Sequence, residues 1–277
     1  MTYAQAAALE SDGFLDIAGH RLHYQFHRAA DVDAPALVLL HEGLGSVAMW
    51  GDWPLRLAQA TQAHVFVYSR AGYGRSSPVA LPRPLTYMKD EAQQVVPLLL
   101  DRLGFSRIVL VGHSDGGSIA AIYAGLSGDQ RIRGLCLMAP HFFNEDICVA
   151  AIAQAKIAYE TGDLKRRLAR YHDNVDVAFY GWNGAWLDPE FLKWNIEEFL
   201  PGIRVSALVI QSDNDPYGTI KQVESIQHTS GALVTAAIIK GIGHSPHRDA
   251  ADQTLHLIPK FCGEIFAPLT AQVGISS

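Results

Sequence analysis

The chain of 277 residues is 49% hydrophobic and 18% charged, long enough to bury a full core and too apolar to stay disordered. Its formal net charge of −6, from 22 basic and 28 acidic residues with no basic run, argues against nucleic acid or an anionic membrane as a partner. No apolar stretch approaches the ~20 residues that cross a bilayer, and Met1 to Glu10 lacks the charged and apolar regions of a secretory signal.

In chain order, Phe14–Ile17 and Leu22–Phe26 read as the strands of a hairpin. In the second, Leu22, Tyr24 and Phe26 alternate with Arg21, His23, Gln25 and His27, a period of two that puts His23 and His27 on a polar strand face. That placement argues against His20, His23 and His27 as a metal site, which needs converging ligands. Short unbroken apolar runs follow at Ala36–Leu40, Val65–Tyr68, Ile108–Val111, Leu135–Ala139, Ala207–Ile210 and Val234–Ile239. Such runs mark strands covered on both faces. Between them Ala92, Val95, Val96, Leu99 and Leu103 form one helical stripe, which Pro97 should kink. The alternation predicts an α/β fold: a mostly parallel sheet with helices on both faces and the hairpin as an antiparallel edge.

From Pro140 to about Arg204 the chain leaves the sheet for far longer than the ~2–6 residues of an ordinary connection. Leu164, Leu168 and Tyr171 should share one helical face, Leu192, Ile196 and Phe199 another, and Asp188-Pro189 reads as a helix start. The expected organisation is a core domain from 1–139 and 205–277, with 140–204 inserted as a helical cap. The insertion is dense in aromatics. Most should form its own core, and Trp182 and Trp186 are the candidates to line a pocket beneath it. Cys136, Cys148 and Cys262 are widely scattered; with no export signal, they are expected to be free thiols in a reducing cytoplasm.

The run Arg107 to Val111 leads into Gly112-His113-Ser114-Asp115-Gly116-Gly117, followed by a segment rich in small residues: Ser118, Ala120, Ala121 and Ala124. This is G-x-S-x-G between a buried strand and a helix. A nucleophile on so sharp a turn needs neighbours without bulk two positions to either side. Serine is a weak nucleophile until a base takes its proton, and the base needs an orienting carboxylate. Downstream, two strand ends supply candidates: Asp213 and Asp215 after Ala207–Gln211, and His244, with His247 as its rival, after Val234–Ile239.

On these motifs, from about Leu37 to Phe261, the chain resembles the α/β-hydrolase superfamily. The resemblance implies Ser114 as nucleophile, Asp215 as acid and His244 as base, in the family's chain order. Gly243-His244 matches the family pattern directly, whereas Ser212 replaces the Gly of the usual Gly-x-x-Asp. His41-Glu42-Gly43-Leu44 resembles the family's His-Gly-x loop. The resemblance therefore implies an oxyanion hole from the backbone N–H groups of Asp115 and of Gly43 or its neighbour Leu44. Glu42 stands where Gly is usual; it either faces away and braces the loop or meets the charge of a substrate. Ser69 to Ser76 resembles a scaffolding turn after the fourth strand.

Ser114 argues against the dehalogenases and epoxide hydrolases of this fold, which carry Asp there. Ester or thioester cleavage of a small molecule, without cofactor or metal, is the first expectation. C–C hydrolysis of ring-cleavage products is an alternative; those enzymes typically follow the base with Trp, and here Ser245 follows His244. A non-catalytic small-ligand receptor on the same fold is the alternative from another class.

Overall fold

Alternation inside the buried strands decides how the core is built. In the segment Ala36 to Leu40, Leu37 and Leu39 face one hydrophobic cluster, with Trp53, Leu57, Ile258 and Phe261. Ala36, Val38 and Leu40 face another, with Leu99, Leu100, Ile119 and Ile122. One sheet thus buries both faces under helices.

The computed structural model describes residue 6 and residues 8–267. Its strands are β1 Asp12–Ile17, β2 His20–His27, β3 Ala36–Leu40, β4 His64–Tyr68, β5 Ile108–His113, β6 Ile132–Met138, β7 Ala207–Ser212 and β8 Val234–Ile239. They form one sheet in the order β1-β2-β4-β3-β5-β6-β7-β8. The β1–β2 hairpin is antiparallel, and β3 through β8 run parallel. The carboxyl ends of β3, β5, β6, β7 and β8 therefore open on one side, where such sheets place ligands.

Between β6 and β7 lie the helices Asp146–Thr161, Leu164–Leu168 and Val175–Trp186 and two short 3₁₀ turns. Most of their aromatics pack on one another: the rings of Tyr159 and Phe179 stack at 3.6 Å, and those of Phe191 and Trp194 at 5.3 Å. Asp188 does cap the turn Pro189–Lys193, accepting the Glu190 N–H at 2.9 Å. A π turn over Glu91–Val95 precedes the helix Val96–Leu103, which places Pro97 in the first turn of that helix.

Four expectations need correction. Leu192, Ile196 and Phe199 do not share a helix face. The segment is broken into two 3₁₀ turns, and Leu192 is exposed. Likewise, Tyr171 is exposed beyond the end of the helix that buries Leu168. The run Val234–Ile239 is not covered on both faces: β8 is the last strand of the sheet, and Ile238 is exposed. His23 is not on a wet strand face, because the 69–77 turn folds over it. Ser69 N–H donates to its carbonyl, Ser76 Oγ accepts its N–H, and its ring meets Asp12 at 3.2 Å. Among the described residues no group of three or more His, Cys, Asp or Glu could hold a metal, and no helix is long and apolar enough to cross a membrane.

Candidate active site

β5 runs into Ser114, whose φ of 51° and ψ of −119° lie outside the regions an L residue prefers. The helix Asp115–Ser127 starts at the next residue. Glycine is obligatory around this turn. A Cβ on Gly112 would sit 2.3 Å from the Gly116 carbonyl oxygen, and one on Gly116 would sit 2.1 Å from that of Leu40. The turn places Ser114 in the wall of a cavity of about 350 Å³, room for a small ligand.

Three strand ends bring the sequence candidates together. Ser114 follows β5, Asp215 lies in the loop after β7, and His244 in the loop after β8. His244 Nδ1 is 2.9 and 2.8 Å from the two Asp215 carboxylate oxygens, and its Nε2 is 2.8 Å from Ser114 Oγ. A carboxylate only accepts, so Nδ1 carries the proton and donates, leaving Nε2 to accept the Ser114 hydroxyl. Asp215 also accepts the Tyr217 N–H at 2.8 Å. Burial alone would push its carboxyl up. The hydrogen bond and charge of His244, with the Tyr217 N–H, outweigh that and hold it below its ordinary value.

The rivals fall elsewhere. Asp213 Oδ1 accepts the Gly241 N–H at 2.8 Å and does not reach His244. His247 is buried against Trp50, with ring centres 4.5 Å apart, and burial pushes it down to about 3.

Gly43, Leu44 and Asp115 line the cavity beside Ser114. The N–H of Asp115 belongs to the first turn of its helix, where backbone donors have no intrahelical partner. Trp182 and Trp186 line the same cavity, and Trp182 lies directly on Gly43, where a Cβ would meet its indole at 2.2 Å. Trp186 Nε1 donates to Tyr87 Oη at 3.0 Å, and Tyr87 donates to the Asp115 carboxylate at 2.6 Å. The segment after β6 is thus linked through Tyr87 to Asp115, the residue next to Ser114.

Glu42 does not face away from the site. It lines the cavity, with Oε2 3.3 Å from His113 Nδ1, while His113 Nε2 donates to the His244 carbonyl at 2.7 Å. Glu42 therefore braces the loop that carries His244 through His113 while lining the cavity. Burial would push its carboxyl up, but the hydrogen bond and charge of His113, and then His247 and His41, hold it well below the carboxylate range. Burial lowers His41 and His247 themselves.

Sequence reasoning missed His141, Cys148, Ile152, Tyr217 and Arg248 in the cavity wall. His141 had a signal, since it follows a strand end just as the other site residues do.

Residues 37–257 match the family model described as the alpha/beta hydrolase family. The chain belongs to this family. Among curated relatives, the abhydrolase domain-containing protein abhd-5.2 of Caenorhabditis elegans is 35% identical over 39% of this chain. A proline iminopeptidase of Lactobacillus helveticus is 30% identical over 68% of it. These matches span only 24% and 60% of the relatives' own lengths. Among solved structures, a bacterial membrane phospholipase A superposes with a TM-score of 0.75 at 18% identity, covering 96% of this chain and 89% of that one. The enol-lactonase of Burkholderia xenovorans LB400 superposes with a TM-score of 0.68 at 21% identity, covering 90% of this chain and 98% of its own. At such identities the likeness is one of fold.

Proposed function

We propose that the protein is a serine hydrolase that cleaves esters or thioesters of small apolar or aromatic acids through an acyl-enzyme on Ser114. The observation that carries this reading is the continuous chain of hydrogen bonds Ser114–His244–Asp215, 2.8 Å at each closest contact, whose first two members line the cavity.

The chemistry follows from that chain. Ser114 Oγ attacks the substrate carbonyl as its proton passes to His244 Nε2, and Asp215 holds the ring and stabilises the imidazolium. The oxygen turns negative in the tetrahedral intermediate and is held by the N–H groups of Asp115 and Gly43. Collapse expels the leaving group, protonated by His244, and leaves the acyl group on Ser114. Water, deprotonated by His244, then releases the acid.

The segment 140–204 serves in this reading as a cap, since Trp182, Trp186, Cys148 and Ile152 all bring apolar surface to the cavity. A panel of 4-nitrophenyl esters, thioesters, lactones, vinylogous diketones and a prolyl anilide, assayed with wild type and Ser114→Ala, tests the proposal. Ester or thioester turnover that Ser114→Ala loses by roughly three decades or more is expected. A preference for the diketone or the anilide over every ester would overturn it.

A further inference from the structure

The cavity wall has a buried part and an exposed part, here its closed end and its mouth. Trp186, Cys148, Ile152 and His141 are each no more than 2% exposed, whereas the Arg248 side chain, also in the wall, is 68% exposed. A leaving group must depart while the acyl group is still tethered to Ser114. The closed end therefore suits the acyl group, and the mouth suits the leaving group.

One polar ring stands in this otherwise apolar end. The backbone of His141 is pinned, its carbonyl accepting from Ser118 Oγ at 2.6 Å and its N–H donating to the same oxygen at 3.3 Å. Its ring lies 5.3 Å from that of Trp186 and 5.6 Å from that of His244, centre to centre. Among the described residues the ring makes no hydrogen bond; Nδ1 is shut off from solvent and from the cavity, on the side of Gly218, so the unpartnered Nε2 is the atom that can meet a ligand. The other histidines near the site are satisfied at both nitrogens: His41 by the Glu42 carbonyl and the Arg70 N–H, and His172 by the Gly74 N–H and the Leu44 carbonyl. His247 also has an unpartnered Nδ1, but it lies among Trp50 and Trp53, outside the cavity lining. Among the described histidines, only His141 joins an unpartnered ring to a place on the cavity wall.

The kind of group it can meet is narrow. Burial, with the charge of His244 adding, pushes His141 down to about 3, so at working pH it is a neutral imidazole and not an anion binder. A neutral ring has one N–H and one bare nitrogen; a hydroxyl can satisfy either, and a ketone the first.

We propose that His141 is a specificity-determining residue that hydrogen-bonds an uncharged hydroxyl or keto oxygen on the acyl group. The favoured substrates are then esters of oxygen-bearing apolar acids rather than of plain hydrocarbon acids. This rests on the ester-cleaving reading above. It adds the logic that a buried polar group left unpaired rejects the analogue lacking its partner.

The test compares kcat/KM for the 4-nitrophenyl esters of phenylacetic acid and of 2-, 3- and 4-hydroxyphenylacetic acid. The proteins are wild type, His141→Phe and His141→Gln. Wild type should favour at least one hydroxylated isomer over the plain ester by about 10-fold or more. That ratio should fall to about one in His141→Phe and stay intermediate in His141→Gln. Should His141→Phe fail to fold, the reduced ratio in His141→Gln decides. A ratio near one in wild type, or one unchanged in the variants, overturns the assignment of His141 while leaving the ester reading intact. Loss of all Ser114-dependent ester cleavage in wild type would instead strike the ester reading.

Discussion

Acidification should unfold this protein earlier than its carboxylates alone would dictate, because it buries neutral histidines. His141 and His247 are pushed down to about 3 by burial, and His23, His27, His41, His64 and His172 are lowered as well. In the unfolded chain each imidazole titrates near ~6.5. Below that pH the unfolded state binds more protons than the folded one. The stability these rings contribute is therefore complete above about pH 6.5 and is lost as the pH falls toward 3. At pH 5, His141 and His247 should each remove about 2 kcal/mol, a large share of the ~5–15 kcal/mol that holds a domain together. Together they should lower Tm by roughly 7 °C. Glu91, raised by burial, works in the opposite direction, and Asp215, held low, adds its loss only at more acid pH. Urea unfolding at pH 7.5, 6 and 5 measures the slope. His247→Phe should reduce it by about 1.4 kcal/mol per pH unit. Wild-type stability that stays flat from pH 7.5 to 5, or an equally steep loss in His247→Phe, would refute the reasoning.

Other substitutions separate the roles of neighbouring residues. Asp215→Asn should lower kcat by about 10⁴ through the wrong His244 tautomer, whereas Asp213→Asn should cost less than about 10-fold; steady-state ester kinetics compare them. Tyr87→Phe removes the hydroxyl between Trp186 and the buried Asp115 carboxylate. It should cost about 1–3 kcal/mol in urea unfolding and shift the tryptophan emission. Gly116→Ala presses a Cβ on the Leu40 carbonyl, backbone that cannot yield, while Gly43→Ala meets only the Trp182 ring. Melting curves should show the first destabilised by at least ~1–3 kcal/mol and the second folded but less active.

The elbow was legible because its requirements are local: strand, small residues, helix and a serine, all within about fifteen positions. Asp215 and His244 were legible because both follow strand ends. Burial set by distant segments was not. The period of two placed His23 on a polar face correctly relative to its own strand, but the 69–77 turn that covers that face comes from elsewhere in the chain. Val234–Ile239 is as apolar as a central strand, and only its place in the sheet order leaves one long edge uncovered. Glu42 was read from its neighbours in sequence, whereas its orientation is set by His113, on a different strand. The link from Trp186 through Tyr87 to Asp115 joins three separate segments, and no spacing announces it.

The central claim is that Ser114 is the nucleophile, and a covalent probe tests it most directly. Wild-type protein treated with a fluorophosphonate should gain a single adduct by intact mass, and peptide mapping should place it on Ser114. Ser114→Ala should gain none, and Asp215→Asn should label far more slowly. Stoichiometric labelling at another residue, or no labelling of a folded wild type that still cleaves esters, would contradict the account.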